Sequence, residues 1–267
     1  MVKKIFYINS EMEPFASVSN QGSLSIKMPL GLQEKGNDVR CLMPKYGFIS
    51  ERKYILREVI RLKEILFDYD DRNYECSAKS AFLPKSRLQV YFLENEEQFG
   101  KLNNLLFKSK NGRFLVDNDV RFAFYSLAAI KMLPSLFWFP NVIICNGWTS
   151  ALVPFLINKM SRKDKNLNKI KTIYLTNSTN KNVIFEHSNL PFKSETLKEI
   201  KSFNLNQLGC EYADATIIID DIEKISGNIM RSKVFKDSKN CSTIDLINSE
   251  NKNDTLLEEI EKVIKNL

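Results

Sequence analysis

Residues 3–8, KKIFYI, and the segment behind them, NSEMEPFASVSNQGSLSIKMP (9–29), decide the fold. The run is apolar without alternation, as a strand buried on both faces of a parallel sheet reads. GSLSIKMPLGLQEKG (22–36) follows, with Ile26, Leu30 and Leu32 apolar and Gly36 where the helix ends. Pro29 is placed in the first turn of that helix or at a kink. A strand, a polar turn and a helix in this order predict the opening unit of an α/β sheet. Such turns usually hold phosphate through glycine backbone and a cation. Here the tip reads SVSN (17–20), with neither.

Outward from this unit, strand and helix signals alternate. DVRCLMP (38–44) reads as a second strand stopped by Pro44, and ILREVIRLKEILFDYD (55–70) and RLQVYFLEN (87–95) as a β-ribbon and a further strand. DNDVRFAFYSLAAIKMLP (117–134) has helical spacing after an Asp or Asn cap. A strand NVIICN (141–146), a helix from about Ser150, a strand KTIYLTN (171–177), a helical segment near 193–211 and a strand ADATIIID (213–220) come next. DTLLEEIEKVIKNL (254–267) is an amphipathic helix with Thr255 and Glu258 near its start. The polar segments SRKDKNLNK (161–169) and FKDSKNCST (235–243) are expected as exposed loops. Strands separated by helices predict a single Rossmann-like, doubly wound parallel sheet with right-handed crossovers, one domain over residues 1–267.

Composition narrows the function classes. The net charge is +7, from 39 Lys+Arg against 32 Asp+Glu, but the basic residues are spread along the chain. No nucleic-acid-binding pattern accompanies them, so no nucleic-acid partner is expected. No apolar run reaches eighteen residues, so no membrane span is expected. MVKK leads into the first strand without a cleavage pattern, and a cytoplasmic location is expected. Cys41, Cys76, Cys145, Cys210 and Cys241 are widely and irregularly spaced, which argues against a disulfide framework or a metal site. Cys41 and Cys145 read as small buried hydrophobes. No cofactor and no metal is expected. The lone histidine, His187, has no partner constellation around it and reads as a loop residue.

INSEMEPFA, LQEKGNDVRCLMPKYG, VYFLEN, DNDVRFAFYSLAAI and NVIICNGWTSALVPFLI occur in that order. Together they resemble the N-terminal half of the ADP-glucose-type glycogen and starch synthases. The resemblance covers roughly residues 1–185 and weakens beyond, and the chain is similar to a short, one-domain form of that family. It implies the acceptor-side half of a two-domain GT-B glycosyltransferase, and glucosyl transfer from ADP-glucose to an α-1,4-glucan.

The resemblance also exposes departures. After Pro-Phe-Ala the family carries Lys-Thr-Gly-Gly-Leu, which serves the donor's phosphates and glucose; those positions fall on Ser17, Val18, Ser19, Asn20 and Gln21. A family histidine and asparagine correspond to Asn177 and Ser178, and in the turn after NVIIC an aspartate and a histidine correspond to Gly147 and Thr149. The family's second, donor-side domain has no counterpart among these motifs, so the isolated chain is expected to be inactive or weak. A separate donor-domain protein is a candidate partner, with a non-catalytic glucan-binding or regulatory role, or a repurposed sugar or nucleotide binder, as the alternatives. Glu11, Pro14, Phe15, Asn118, Arg121, Phe122 and Trp148 read first as residues that hold the fold. The candidate ligand-binding residues are Ser17, Asn20, Asn146, Trp148 and Asn177, neutral amides and hydroxyls with one aromatic face, suited to an α-glucan or small sugar.

Overall fold

In the computed structural model the apolar opening run becomes β1 (Lys4–Ile8), the middle of the sheet, with Ile5, Phe6, Tyr7 and Ile8 fully buried. The structure describes residues 2–19, 21–69, 72–177, 183–186, 202–221, 224, 226–227, 241–247 and 251–267. After β1 come α1 (Gln21–Glu34), β2 (Asp38–Pro44), α2 (Glu51–Tyr54), β3 (Arg57–Glu58), β4 (Ile65–Tyr69), β5 (Arg72–Phe82) and β6 (Gln89–Glu94). The second half runs α3 (Asn118–Lys131), α4 (Leu133–Leu136), β7 (Val142–Asn146), α5 (Leu152–Ser161), β8 (Lys171–Asn177), β9 (Ile184–Glu186), β10 (Ser202–Asn204) and α6 (Leu205–Tyr212). It closes with β11 (Ala215–Asp220), β12 (Cys241–Asp245) and α7 (Lys252–Asn266).

Among the described residues the main sheet has the order β12-β11-β8-β7-β1-β2-β6-β5-β3, with β4 also paired to β5. Every pairing from β12 to β6 is parallel, and β5 runs antiparallel to β6, β3 and β4. The chain winds from β1 to β2 and β6 in one direction, then returns to β7 on the other side of β1 and continues outward. The reversal between β1 and β7 is the topological switch point, where open α/β sheets leave a crevice at the strands' C-terminal edge. The helices pack in two groups, α3 on α5 and α5 on α6, and α1 on α7. In α7, Leu256, Ile260 and Ile264 recur four residues apart and are buried, each contributing about 1.5–3 kcal/mol of apolar burial.

Several local expectations are corrected. Of the two placements expected for Pro29 the first turn is overturned, since it lies in the interior of α1, and it is buried. Asp117 precedes α3 but makes no side-chain cap; its carboxylate instead pairs with Arg121 one turn on, because that guanidinium is buried and needs a counter-charge more than the helix end needs an acceptor. Thr255 does lie near the start of α7, its hydroxyl donating back to the Asn251 carbonyl. Residues 241–243, the end of the expected loop 235–243, lie in β12 (Cys241–Asp245), an edge strand parallel to β11. Of the helical segment expected near 193–211, residues 205–212 form α6, residues 202–204 form β10, and the stretch before them, like His187, lies outside the described residues. Cys41 and Cys145 are fully buried, as the apolar runs around them require. No helix among the described residues is long and apolar enough to cross a membrane.

Candidate ligand-binding edge

The C-terminal ends of β1, β7 and β8 meet the first turns of α1 at the switch point. Here the apolar runs give way to polar residues: Asn9, Ser10 and Glu11 after β1, Asn146 at the end of β7, and Asn177 at the end of β8. All five are buried. The contacts among them join residues far apart in the chain. Asn146 Nδ2 donates to Ser25 Oγ of α1 at 3.1 Å, Gln21 Nε2 donates to Asn177 Oδ1 at 3.4 Å, and Thr149 Oγ1 donates to Ser10 Oγ at 3.0 Å. Asn9 is 1% exposed, and neither its amide nitrogen nor its amide oxygen has a hydrogen-bond partner among the described residues. Its backbone is held, since its N–H donates to Leu42 O at 3.1 Å and its carbonyl accepts from Tyr125 Oη at 2.6 Å.

The turn between β1 and α1 is organised from inside by Glu11. Its Oε2 accepts the N–H groups of Val18 at 2.8 Å and Ser19 at 2.9 Å, and its Oε1 accepts the Ser19 hydroxyl at 3.0 Å. Burial pushes the Glu11 carboxyl above the usual glutamate range, while the Val18 and Ser19 bonds and the positive charge of Lys108 pull it down. Gly22 lets the turn fold against α1: a Cβ there would lie 2.2 Å from Ser17 Oγ. Gly147 is required after β7 for a second reason. Its φ is +81° and a Cβ would lie 2.6 Å from Gln21 Nε2, so the Gln21 side chain lies against bare backbone.

Of the residues expected to bind ligand, Asn146 and Asn177 are brought together under α1, each held by an α1 side chain. Ser17 is exposed on the turn, its hydroxyl donating to Ser19 O at 3.2 Å. Asn20 lies outside the described residues. Trp148 comes to the same edge but is 3% exposed, packed against Phe122 (4.9 Å), Phe107 (5.3 Å) and Phe114 (5.7 Å). In this arrangement its ring is part of the core and offers no open face, because the hairpin that pairs Lys108 with Phe114 folds over it. Asn9, Ser10, Gln21 and Ser25 were not legible as partners of the site. The local signal for Asn9 and Ser10 is the switch from apolar to polar residues at the end of β1. Gln21 and Ser25 look like ordinary helix residues until α1 is placed over the sheet.

A family model described as the starch synthase catalytic domain matches residues 4–221. The glycogen synthase of Chlorobium limicola is 32% identical over 222 residues, covering 79% of this chain and 44% of that protein. The glycogen synthase of Pelodictyon phaeoclathratiforme is 30% identical over 234 residues, covering 87% and 46%. The chain thus spans less than half the length of these relatives. A solved structure of the catalytic domain of starch synthase IV from Arabidopsis thaliana, bound to ADP and acarbose, shares the fold with a TM-score of 0.74 at 19% identity, over 91% of this chain and 51% of that one.

Proposed function

The chain belongs to the starch synthase catalytic-domain family, and from that premise we propose that its strand-end rim binds a neutral, hydroxyl-rich ligand, an α-glucan or small sugar, and that it transfers glucose weakly or not at all by itself. The observation that carries this reading is the chemistry of the rim. Asn9, Ser10, Gln21, Ser25, Asn146, Thr149 and Asn177 are neutral amides and hydroxyls, buried beneath a turn that exposes Ser17, and among the described residues Asn9 has unused donors and an unused acceptor. Hydroxyl groups both donate and accept, so they suit amides that do the same. A departing diphosphate needs concentrated positive charge. The turn that would supply it carries Ser17 at its tip, and the carboxylic residues Glu11 and Glu13 lie in the same turn. Each missing electrostatic group is typically worth about 3 kcal/mol of barrier, so transfer from ADP-glucose should be severely reduced.

The test is a paired titration of maltooligosaccharides and of ADP-glucose, followed by calorimetry, with radiolabelled glucose transfer to glycogen measured on the same preparation. Saturable maltooligosaccharide binding that is lost in Asn9→Leu, with transfer at background, supports the reading. Tight ADP-glucose binding, or turnover at an ordinary enzymatic rate of about 1 per second or more, refutes it.

A further inference from the structure

The parallel strands end at the rim and begin at the opposite edge of the sheet, and that edge is stitched together by backbone hydrogen bonds. Lys4 N–H donates to Asn141 Oδ1 at 2.8 Å, Lys171 N–H to Asn141 O at 2.9 Å and Asp38 N–H to Lys3 O at 3.0 Å. Cations spread over residues 3–171 of the sequence are thereby gathered in space. Lys3 and Lys4 stand beside Lys171, and the connection from α5 to β8 adds Arg162, Lys163, Lys165 and Lys169, all exposed. Among the described residues, Lys171 pairs with Asp214 at 2.9 Å and the other six cations are in no ion pair. Phe137 stands at the same edge, next to Trp138, whose Nε1 donates to Asp38 Oδ2 at 2.7 Å. It is 83% exposed and its φ is +50°. A left-handed residue after a helix is usually glycine. A phenylalanine there adds backbone strain to an apolar ring left in water, and neither serves the fold.

We propose that this edge docks on an anionic lipid bilayer, with the lysines among the headgroups and Phe137 entering the boundary of the acyl chains. Exposed lysines around a free aromatic ring suit that interface, where charge attracts and apolar area anchors. All but Arg162 are lysines, point charges that match a diffuse layer of headgroups better than the two-pronged contacts arginine makes with nucleic-acid phosphates. Nucleic acid also calls for aromatic faces on which successive bases stack. Trp138 offers none, being 4% exposed between Phe6 and Arg40. A bilayer on this edge leaves the rim, at the other ends of the same strands, facing solution. The inference therefore does not depend on what the rim binds.

The full chain is sedimented with vesicles of phosphatidylcholine alone, or of phosphatidylcholine with about three parts in ten of phosphatidylserine. It should go down with the anionic vesicles only, and less of it as salt rises from about 0.1 to about 0.5 M. The triple variant Lys163→Glu, Lys165→Glu, Lys169→Glu should partition at least about a hundredfold more weakly. Arg52→Glu, Lys53→Glu, Lys101→Glu makes the same change in net charge beyond the C-terminal ends of β2 and β6, and should weaken partitioning less than about tenfold. Phe137→Ser should weaken it about tenfold with no loss of thermal stability. Equal effects of the two triple variants, an unaffected Phe137→Ser, or no sedimentation with anionic vesicles each overturn the inference. The last result, together with binding to polyglutamate, would assign the edge to an acidic protein instead.

Discussion

Asn9 and Asn146 follow directly on the paired residues Ile8 and Cys145 of neighbouring strands, yet only one of the two amides is satisfied. Asn146 reaches Ser25 on the overlying helix, while Asn9, also buried, has no side-chain hydrogen bond among the described residues. A buried amide left unpaired costs roughly 1–3 kcal/mol. Native proteins rarely retain such a group without a water or ligand to meet it.

Asn9→Leu should therefore stabilise the protein by about 1 kcal/mol, since a side chain of similar shape replaces two unmet polar atoms. Urea unfolding of the two proteins measures this, and maltooligosaccharide affinity should fall in the same variant. A variant that is less stable than the wild type would mean that an internal water already satisfies the amide.

Trp148→Ala should destabilise the fold by about 3–5 kcal/mol, as expected when a large core aromatic is removed. The ring sits among Phe107, Phe114 and Phe122, and its loss leaves a cavity under the hairpin carrying Lys108 and Phe114. Near-ultraviolet circular dichroism and chemical unfolding report it. A stable variant that loses only sugar binding would instead make Trp148 a ligand platform.

Gly147→Ala should cost about 1–3 kcal/mol, because φ of +81° at this position strains any residue with a Cβ. The added methyl would also push Gln21 from Asn177. Combining it with Gln21→Ala removes the clash but not the strain, so the double variant should recover part of the loss. Strict additivity in thermal unfolding would show that the two residues do not touch.

Glu11 gives a pH signature whose sign follows from its burial. Its carboxyl is raised in the folded state above the ordinary value of 4.5, so the native chain holds that proton more firmly than the unfolded one. The stability this provides is complete below pH 4.5, and it is lost as pH rises through the folded-state value. Glu11→Gln cannot ionise, so the wild-type advantage over it should shrink from pH 4 toward pH 7, roughly following that titration. Melting curves of both proteins across the range check it, with the other carboxylates cancelling in the difference. A gap that widens with pH would mean that the three hydrogen bonds outweigh burial.

The strands β1, β2, β7, β8 and β11 were legible because a strand buried on both faces carries a run of apolar residues at its centre. β12 was not: it lies at the sheet edge, most of its side chains are half-buried or exposed, and CSTID has no apolar run to announce it. The cap expected before α3 failed for a similar reason. Asp117 has the right residue type, but its choice between the helix end and Arg121 depends on how deeply Arg121 is buried. Glu11 was legible as a residue holding the fold, though not the donors it would meet.

What the sequence determined by itself is the alternation of buried strands and helices, the polar turn after β1 with no cation at its tip and, through five motifs in order, the family. These are properties of short windows, since burial and charge are written into consecutive residues. Tertiary structure alone decided that Trp148 faces the core, that Asn9 is left unpaired, and that Gln21 meets Asn177 across 156 residues of chain. Such contacts follow from the order in which strands are laid down and the hand of each crossover. No local pattern carries that information, because the same residues on a strand moved one place along the sheet would meet different neighbours.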